Sequence, residues 1–247
     1  MARVGISTGK PAFIIIIAGA LIPLLASCSA SVSSVIRADG GARISVKAEV
    51  PAPLAAKLRK LGAVGSSVPT GPFFDVAALR ASIAARPAFT LIDIAQPSPD
   101  SIRVEVSARS LEELAASPDL KGSGLITVSR GADWTELRFR LERGGAKALA
   151  ALFPGIDPYL MDALSPPALE EDPVTTDEYK SMLESVLGEK AMPAMEAATV
   201  NLTFSAPGAV IGSGGGSLLG SILTAKISLI QALVLEKPIE VWLRWKQ

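Results

Sequence analysis

Strict alternation of apolar and polar residues constrains this chain more than any other feature. Ile44, Val46, Ala48 and Val50 alternate with Arg43, Ser45, Lys47 and Glu49. A period of two puts the first set on a buried face and the second in water. Ala38-Asp39-Gly40-Gly41 just before it is a hairpin signal, so Val32–Arg37 is predicted as the antiparallel partner. The same texture returns at Phe89–Ile94 and Ile102–Val106, joined by Gln96-Pro97-Ser98-Pro99-Asp100, and at Leu125–Ser129 and Trp134–Leu141, joined by Arg130–Asp133. Three closing strands are predicted: Ala198–Ser205, then Ser221–Ile230 after a long glycine loop, then Lys237–Trp245.

Helical signals interrupt this pattern. Pro53 opens a helix that stops at Gly62, and Asp75 caps one whose Val76, Leu79 and Ile83 share a face before Pro87. Ser110-x-x-Glu113 and Thr175-x-x-Glu178 read as capping boxes. Residues 144–198 read as a helical insert before the last three strands. Short turns between most strands favour an α+β fold over a doubly wound one. The expected architecture is one exported domain, 35–247, with a mostly antiparallel sheet that could curl toward a barrel and helices packed on one face.

What the chain lacks narrows its chemistry. It has no histidine and a single cysteine, so Ser-His-Asp and Cys-His catalysis, imidazole zinc sites and Cys-x-x-Cys redox pairs are excluded. Residues 1–27 hold two basic side chains, Arg3 and Lys10, and none of the 24 acidic ones, which leaves the remainder slightly negative. Such a balance does not gather phosphate backbones, so no nucleic-acid partner is expected. The expectation is a non-enzymatic chain with no cofactor and no metal.

The beginning of the chain has the order of a secretory signal: Arg3 and Lys10, an apolar run from Ala12 to Leu25, then small residues. The run falls short of the roughly 20 residues a spanning helix needs, and Pro23 breaks it. Leu25-Ala26-Ser27-Cys28 resembles the lipobox of bacterial lipoproteins. The resemblance implies cleavage before Cys28, a diacylglyceryl group on its thiol and, as a rule, an acylated amine. Residues 1–27 are then a signal peptide and 28–34, rich in serine, a tether between lipid and fold. Ser29 stands where some bacteria with two membranes place an inner-membrane retention aspartate, which favours an outer-membrane anchor in the cell envelope where there is one.

Other motifs are weaker. Gly212-Ser213-Gly214-Gly215-Gly216 lacks the spacing of a phosphate loop and reads as a hairpin loop. The acidic run Glu170, Glu171, Asp172, Asp177 and Glu178 matches no calcium loop and reads as a linker feeding a helix N-terminus. Asn201-Leu202-Thr203 is a sequon, and Lys180-Ser181 and Ser228 are present without a dyad context. The apolar segment 148–164 is broken by Pro154, Gly155 and Pro158. Its Phe153, Tyr159, Leu160 and Met161 could line a hydrophobic cavity under a hinge, or the segment could be two core helices.

The run from Val200 through Pro207-Gly208 to Gly215, the closing Pro238-Ile239-Glu240-Val241-Trp242-Leu243-Arg244-Trp245, and the Asp39-Gly40 hairpin near the anchor are similar to LppM-like bacterial lipoproteins. That resemblance implies an α+β, partly barrel-like exported domain with a proposed role in lipid or glycolipid binding. Three functions follow as expectations. The first is a membrane-anchored binding domain for a lipid or other apolar ligand. The second is an envelope protein–protein module using a sheet edge, and the third a carboxylate-dependent hydrolase. An enclosed apolar cavity would mark the first, a flat exposed patch the second, two converging acids the third.

Overall fold

The computed structural model of the protein describes residues 29–62, 71–118, 120–143, 164–166 and 174–247. Eleven strands and six helices appear among them. In chain order they are β1 (Ser29–Ile36), β2 (Ala42–Glu49), α1 (Ala52–Gly62), α2 (Val76–Ala84), β3 (Phe89–Ser98), β4 (Ser101–Ala108), α3 (Leu111–Ala115), β5 (Ile126–Arg130), β6 (Trp134–Leu141), α4 (Thr176–Leu187), α5 (Met192–Glu196), β7 (Thr199–Ser205), β8 (Val210–Gly214), β9 (Ser217–Leu219), β10 (Ile222–Ser228), α6 (Leu229–Val234) and β11 (Ile239–Lys246).

The α+β class is as expected, but the strands make two sheets and neither closes into a barrel. The first has seven strands in the order β3-β4-β2-β1-β7-β10-β9, all antiparallel except β1 with β7. The second has four antiparallel strands, β5-β6-β11-β8. The inner face of the first sheet is shared. Its β3-β4-β2 half is covered by helices, with Leu54 and Leu58 of α1, Tyr179, Leu183 and Leu187 of α4, and Ile230 and Val234 of α6 meeting Ile102, Val104 and Val106. Its β1-β7-β10 half is covered by the second sheet, where Ile36, Leu202, Leu223 and Ile227 meet Leu137, Val241, Leu243 and Trp245.

Local chemistry fixes several elements as read. The β1–β2 hairpin turns at Gly40, φ +85°, with Asp39 accepting the Gly41 N–H at 2.8 Å. Asp75 caps α2 through the Ala78 N–H, 2.9 Å. Thr175 and Glu178 close a reciprocal box on α4, whose Tyr179, Leu183 and Leu187 recur every four residues on the buried face. Ser110 caps α3, but the return bond to its backbone is not part of the cap, and Ser110 Oγ instead donates to Glu112 at 2.8 Å.

Five expectations are corrected. Residues 29–34, expected as a tether, are β1 itself, because small residues there are flanked by two full-length strand partners. The turn between β3 and β4 is tighter than expected, since β3 continues through Pro97 to Ser98. Five strands, not three, follow the helical insert. The glycine loop is β8 and β9, a crossing from the second sheet to the first. Leu229 and Ile230 lie in α6, not in the strand before it: the alternation stops at Ser228, and adjacent apolar residues do not distinguish helix from strand.

Candidate functional site

Leu25, Ala26, Ser27 and Cys28, expected as a lipobox, lie outside the described residues, as do Phe153, Tyr159, Leu160 and Met161. Their described neighbours are informative. Ser29 begins β1 directly. Leu164, the last residue of the apolar segment 148–164, packs on the helical core, and its carbonyl accepts a hydrogen bond from the Tyr179 hydroxyl. Burial drives the Tyr179 phenol above its ordinary pKa. Glu170, Glu171 and Asp172 also lie outside the described residues, while Glu178, Lys180 and Ser181 are occupied locally. Glu178 is spent on its helix cap, and the Thr175 backbone N–H holds its carboxyl below the usual range. Lys180 pairs with Glu196 at 3.7 Å, while Ser181 donates to the Asp177 carbonyl at 3.1 Å. Among the described residues no group of three or more His, Cys, Asp or Glu is placed to hold a metal.

Two open depressions, of about 420 and 380 Å³, mark the outer face of the first sheet. One is lined by Asn201, Thr203, Ser217, Thr224 and Lys226, the other by Ser29, Ser31, Lys47, Glu49 and Arg103 among others. Neither is an enclosed apolar chamber.

The most developed constellation was not singled out from sequence. It covers the outer face of the second sheet, opposite the core. Outward residues of β6 are Trp134, Glu136, Arg138 and Arg140, and those of β11 are Glu240, Trp242, Arg244 and Lys246. Register sets Arg244 opposite Glu136 and Trp242 opposite Arg138. Glu136 is 4 % exposed and receives both guanidiniums: Arg138 at 2.8 Å and Arg244 at 2.7 Å. Burial opposes the charge on Glu136, yet the hydrogen bonds and charges of Arg138 and Arg244 outweigh it and hold its carboxyl below the usual range. The bond to Glu136 in turn raises Arg138, whose other arm reaches Glu240.

The tryptophans complete the layer. The Arg244 guanidinium lies 4.4 Å from the Trp134 ring centroid and 5.9 Å from that of Trp242, and Arg138 lies 5.9 Å from the latter. Cation–π contacts of this kind contribute about 0.5–2 kcal/mol, more as they are desolvated. The Trp242 indole extends across β8, where a side chain would obstruct it. A Cβ on Gly212 would stand 3.1 Å from its ring, and one on Gly214 would overlap the indole nitrogen. The glycine run therefore makes room for Trp242 and, at Gly215 (φ +76°), lets the chain turn against the Glu240 carbonyl toward the first sheet. Lys246 has no ion-pair partner among the described residues. The whole is a face of indole and guanidinium, tied together by ion pairs and ring contacts, with a cationic excess. Guanidiniums of this kind recognise carboxylates and phosphates, and indoles offer apolar flanks. The sequence signal is the alternation Trp134-x-Glu136-x-Arg138 and Glu240-x-Trp242-x-Arg244 on two wet faces.

Fold and surface together define an α+β domain of two stacked sheets. No family model and no curated protein matches the sequence. Among solved structures the chain is similar to the folded domain of LppM from Mycobacterium tuberculosis, determined by NMR, with 13 % identity over 90 % of this chain and 92 % of that one and a TM-score of 0.38. At that score the likeness carries no conclusion about function.

Proposed function

We propose that this is an exported lipoprotein, anchored to a membrane of the cell envelope through lipid on Cys28, whose domain is a non-enzymatic binding module. It presents the tryptophan–arginine face of the second sheet to an anionic partner. The anchor rests on Leu25-Ala26-Ser27-Cys28 after a basic and apolar leader. The observation that carries the binding role is the Trp134–Arg244–Trp242 stack, fixed from behind by Glu136. A face built in advance binds at low ordering cost. Its chemistry suits a carboxylated or phosphorylated partner with apolar flanks. A lipid or other apolar ligand held by the segment around Phe153 and Met161 is the second reading, favoured by the docking of Leu164 on the helical core.

One titration separates them. The chain has three tryptophans, and Trp245 is buried in the core between the sheets, so changes in indole emission on binding report Trp134 and Trp242. Saturable quenching by an acidic polysaccharide or an acidic peptide, lost in Trp242→Phe, is the expected result. No response to either, together with a stoichiometric lipid retained in native mass spectrometry of the mature protein, refutes the face and favours the second reading.

A further inference from the structure

Anchor and fold meet at a single peptide bond. Ser29 is the first residue of β1, and β1 is the fourth strand of seven, paired along its length with β2 and β7. Lipid on Cys28 is therefore joined to the middle of the first sheet with no spacer. We propose, on the reading that Cys28 carries the lipid, that the Ser29 end of the first sheet rests on the phosphate layer of the bilayer, the strands rising from it.

The composition of that end suits the position. Register aligns Ser101, Glu49, Ser29, Thr199 and Ser228 in the row at the anchored end. Hydroxyl groups dominate it, as suits a headgroup layer and not hydrocarbon. Two residues up each strand, about 7 Å further, the outer face carries Arg103, Lys47, Ser31, Asn201 and Lys226 in one row. All three cations are exposed. Arg103 is shared with Asp93 at 3.0 Å, while Lys47 and Lys226 have no ion-pair partner among the described residues. Their long stems let the ammonium groups reach down to lipid phosphate. Glu49 is the opposing charge in the end row, and Glu105, one row above the cations, is engaged by Arg43. The exposed apolar residues Val35, Ile222 and Leu219 share a row at the other end, about 20 Å away, and so point away from the bilayer.

The test uses the full chain, processed in bacteria and reconstituted into vesicles of phosphatidylethanolamine and phosphatidylglycerol. With Cys28 blocked by its lipid, one introduced cysteine takes a fluorophore: Glu49→Cys at the anchored end, Ser221→Cys at the far end. A spin label on the lipid headgroup should quench the position-49 label several-fold more than the position-221 label. Inserting a long Gly-Ser spacer before Ser29 should erase that difference. Equal quenching in the unmodified chain, or stronger quenching at position 221, overturns the orientation. A chain that fails to float with vesicles and lacks the lipid mass overturns the anchor itself, a separate outcome.

Discussion

Replacing Glu136 by glutamine tests whether the outer face of the second sheet is held as described. The side chain is nearly fully buried and accepts three guanidinium hydrogen bonds, at 3.2 and 2.8 Å from Arg138 and 2.9 Å from Arg244, whose terminal nitrogen pairs with it at 2.7 Å. Glutamine keeps the size, removes the charge and turns one acceptor into a donor facing a donor. Removing one partner of a fully buried ion pair costs about 3–5 kcal/mol. Here the two arginine side chains are 36 % and 39 % exposed, so water compensates part of the loss and the expected cost is about 2 kcal/mol. The assay is urea unfolding of the mature protein in mild detergent, compared with wild type at several pH values. Because the folded carboxyl lies below its unfolded value, its contribution is present above the unfolded pKa of about 4.3 and is lost as pH falls through the folded one. The gap between wild type and Glu136→Gln should therefore be full at neutral pH and shrink below about pH 4. A gap under about 0.5 kcal/mol at pH 7, or one that does not change with pH, would refute the description of Glu136 as a buried anion shared by two cations.

Other predictions bear on separate parts of the molecule. Gly215→Ala forces a side chain into φ +76° and against the Glu240 carbonyl, so a loss of about 2 kcal/mol or more is expected in thermal unfolding. Tyr179→Phe deletes the hydroxyl bound to the Leu164 carbonyl and should cost about 1–2 kcal/mol in urea unfolding. Because burial raises the Tyr179 phenol, the folded protein holds that proton where the unfolded chain releases it. Wild type should then lose stability above about pH 10 and Tyr179→Phe lose less, as read from unfolding midpoints across that range. Leu235 sits at φ 50° as the C-cap of α6, kept there by burial in the third core cluster; Leu235→Ala should cost about 2–3 kcal/mol in the same assay. Cys28→Ser should yield an uncleaved precursor without lipid, seen directly in the intact mass.

Much of the fold was legible along the chain because its causes are local. Hairpin turns at Asp39-Gly40 and Arg130–Asp133 announce themselves through turn chemistry, and caps at Asp75 and Thr175 through side-chain acceptors at fixed offsets. Alternation in β2, β4 and β6 follows from one face being buried. The resemblance of Leu25-Ala26-Ser27-Cys28 to a lipobox, too, is carried by consecutive residues. Other features depend on which strands become neighbours, and pairing is set by packing between distant segments. Alternation says that Trp134, Glu136 and Arg138 share a face, as do Trp242 and Arg244, but not that these two faces coincide. Only the β6–β11 register, joining residues about a hundred positions apart, assembles the stack. The glycine run is ambiguous in isolation, since a mobile loop and a strand pressed beneath an indole both call for missing side chains. Trp242 decides it, by lying where a Cβ at Gly214 would stand and pressing closely on Gly212. Likewise the serines after Cys28 read as a tether until β7, about 170 residues on, supplies the second edge that makes them a central strand. The chain by itself determined its turns, caps and wet and dry faces; the tertiary structure decided the neighbours, because hydrogen-bonded strand edges carry no label of their partner.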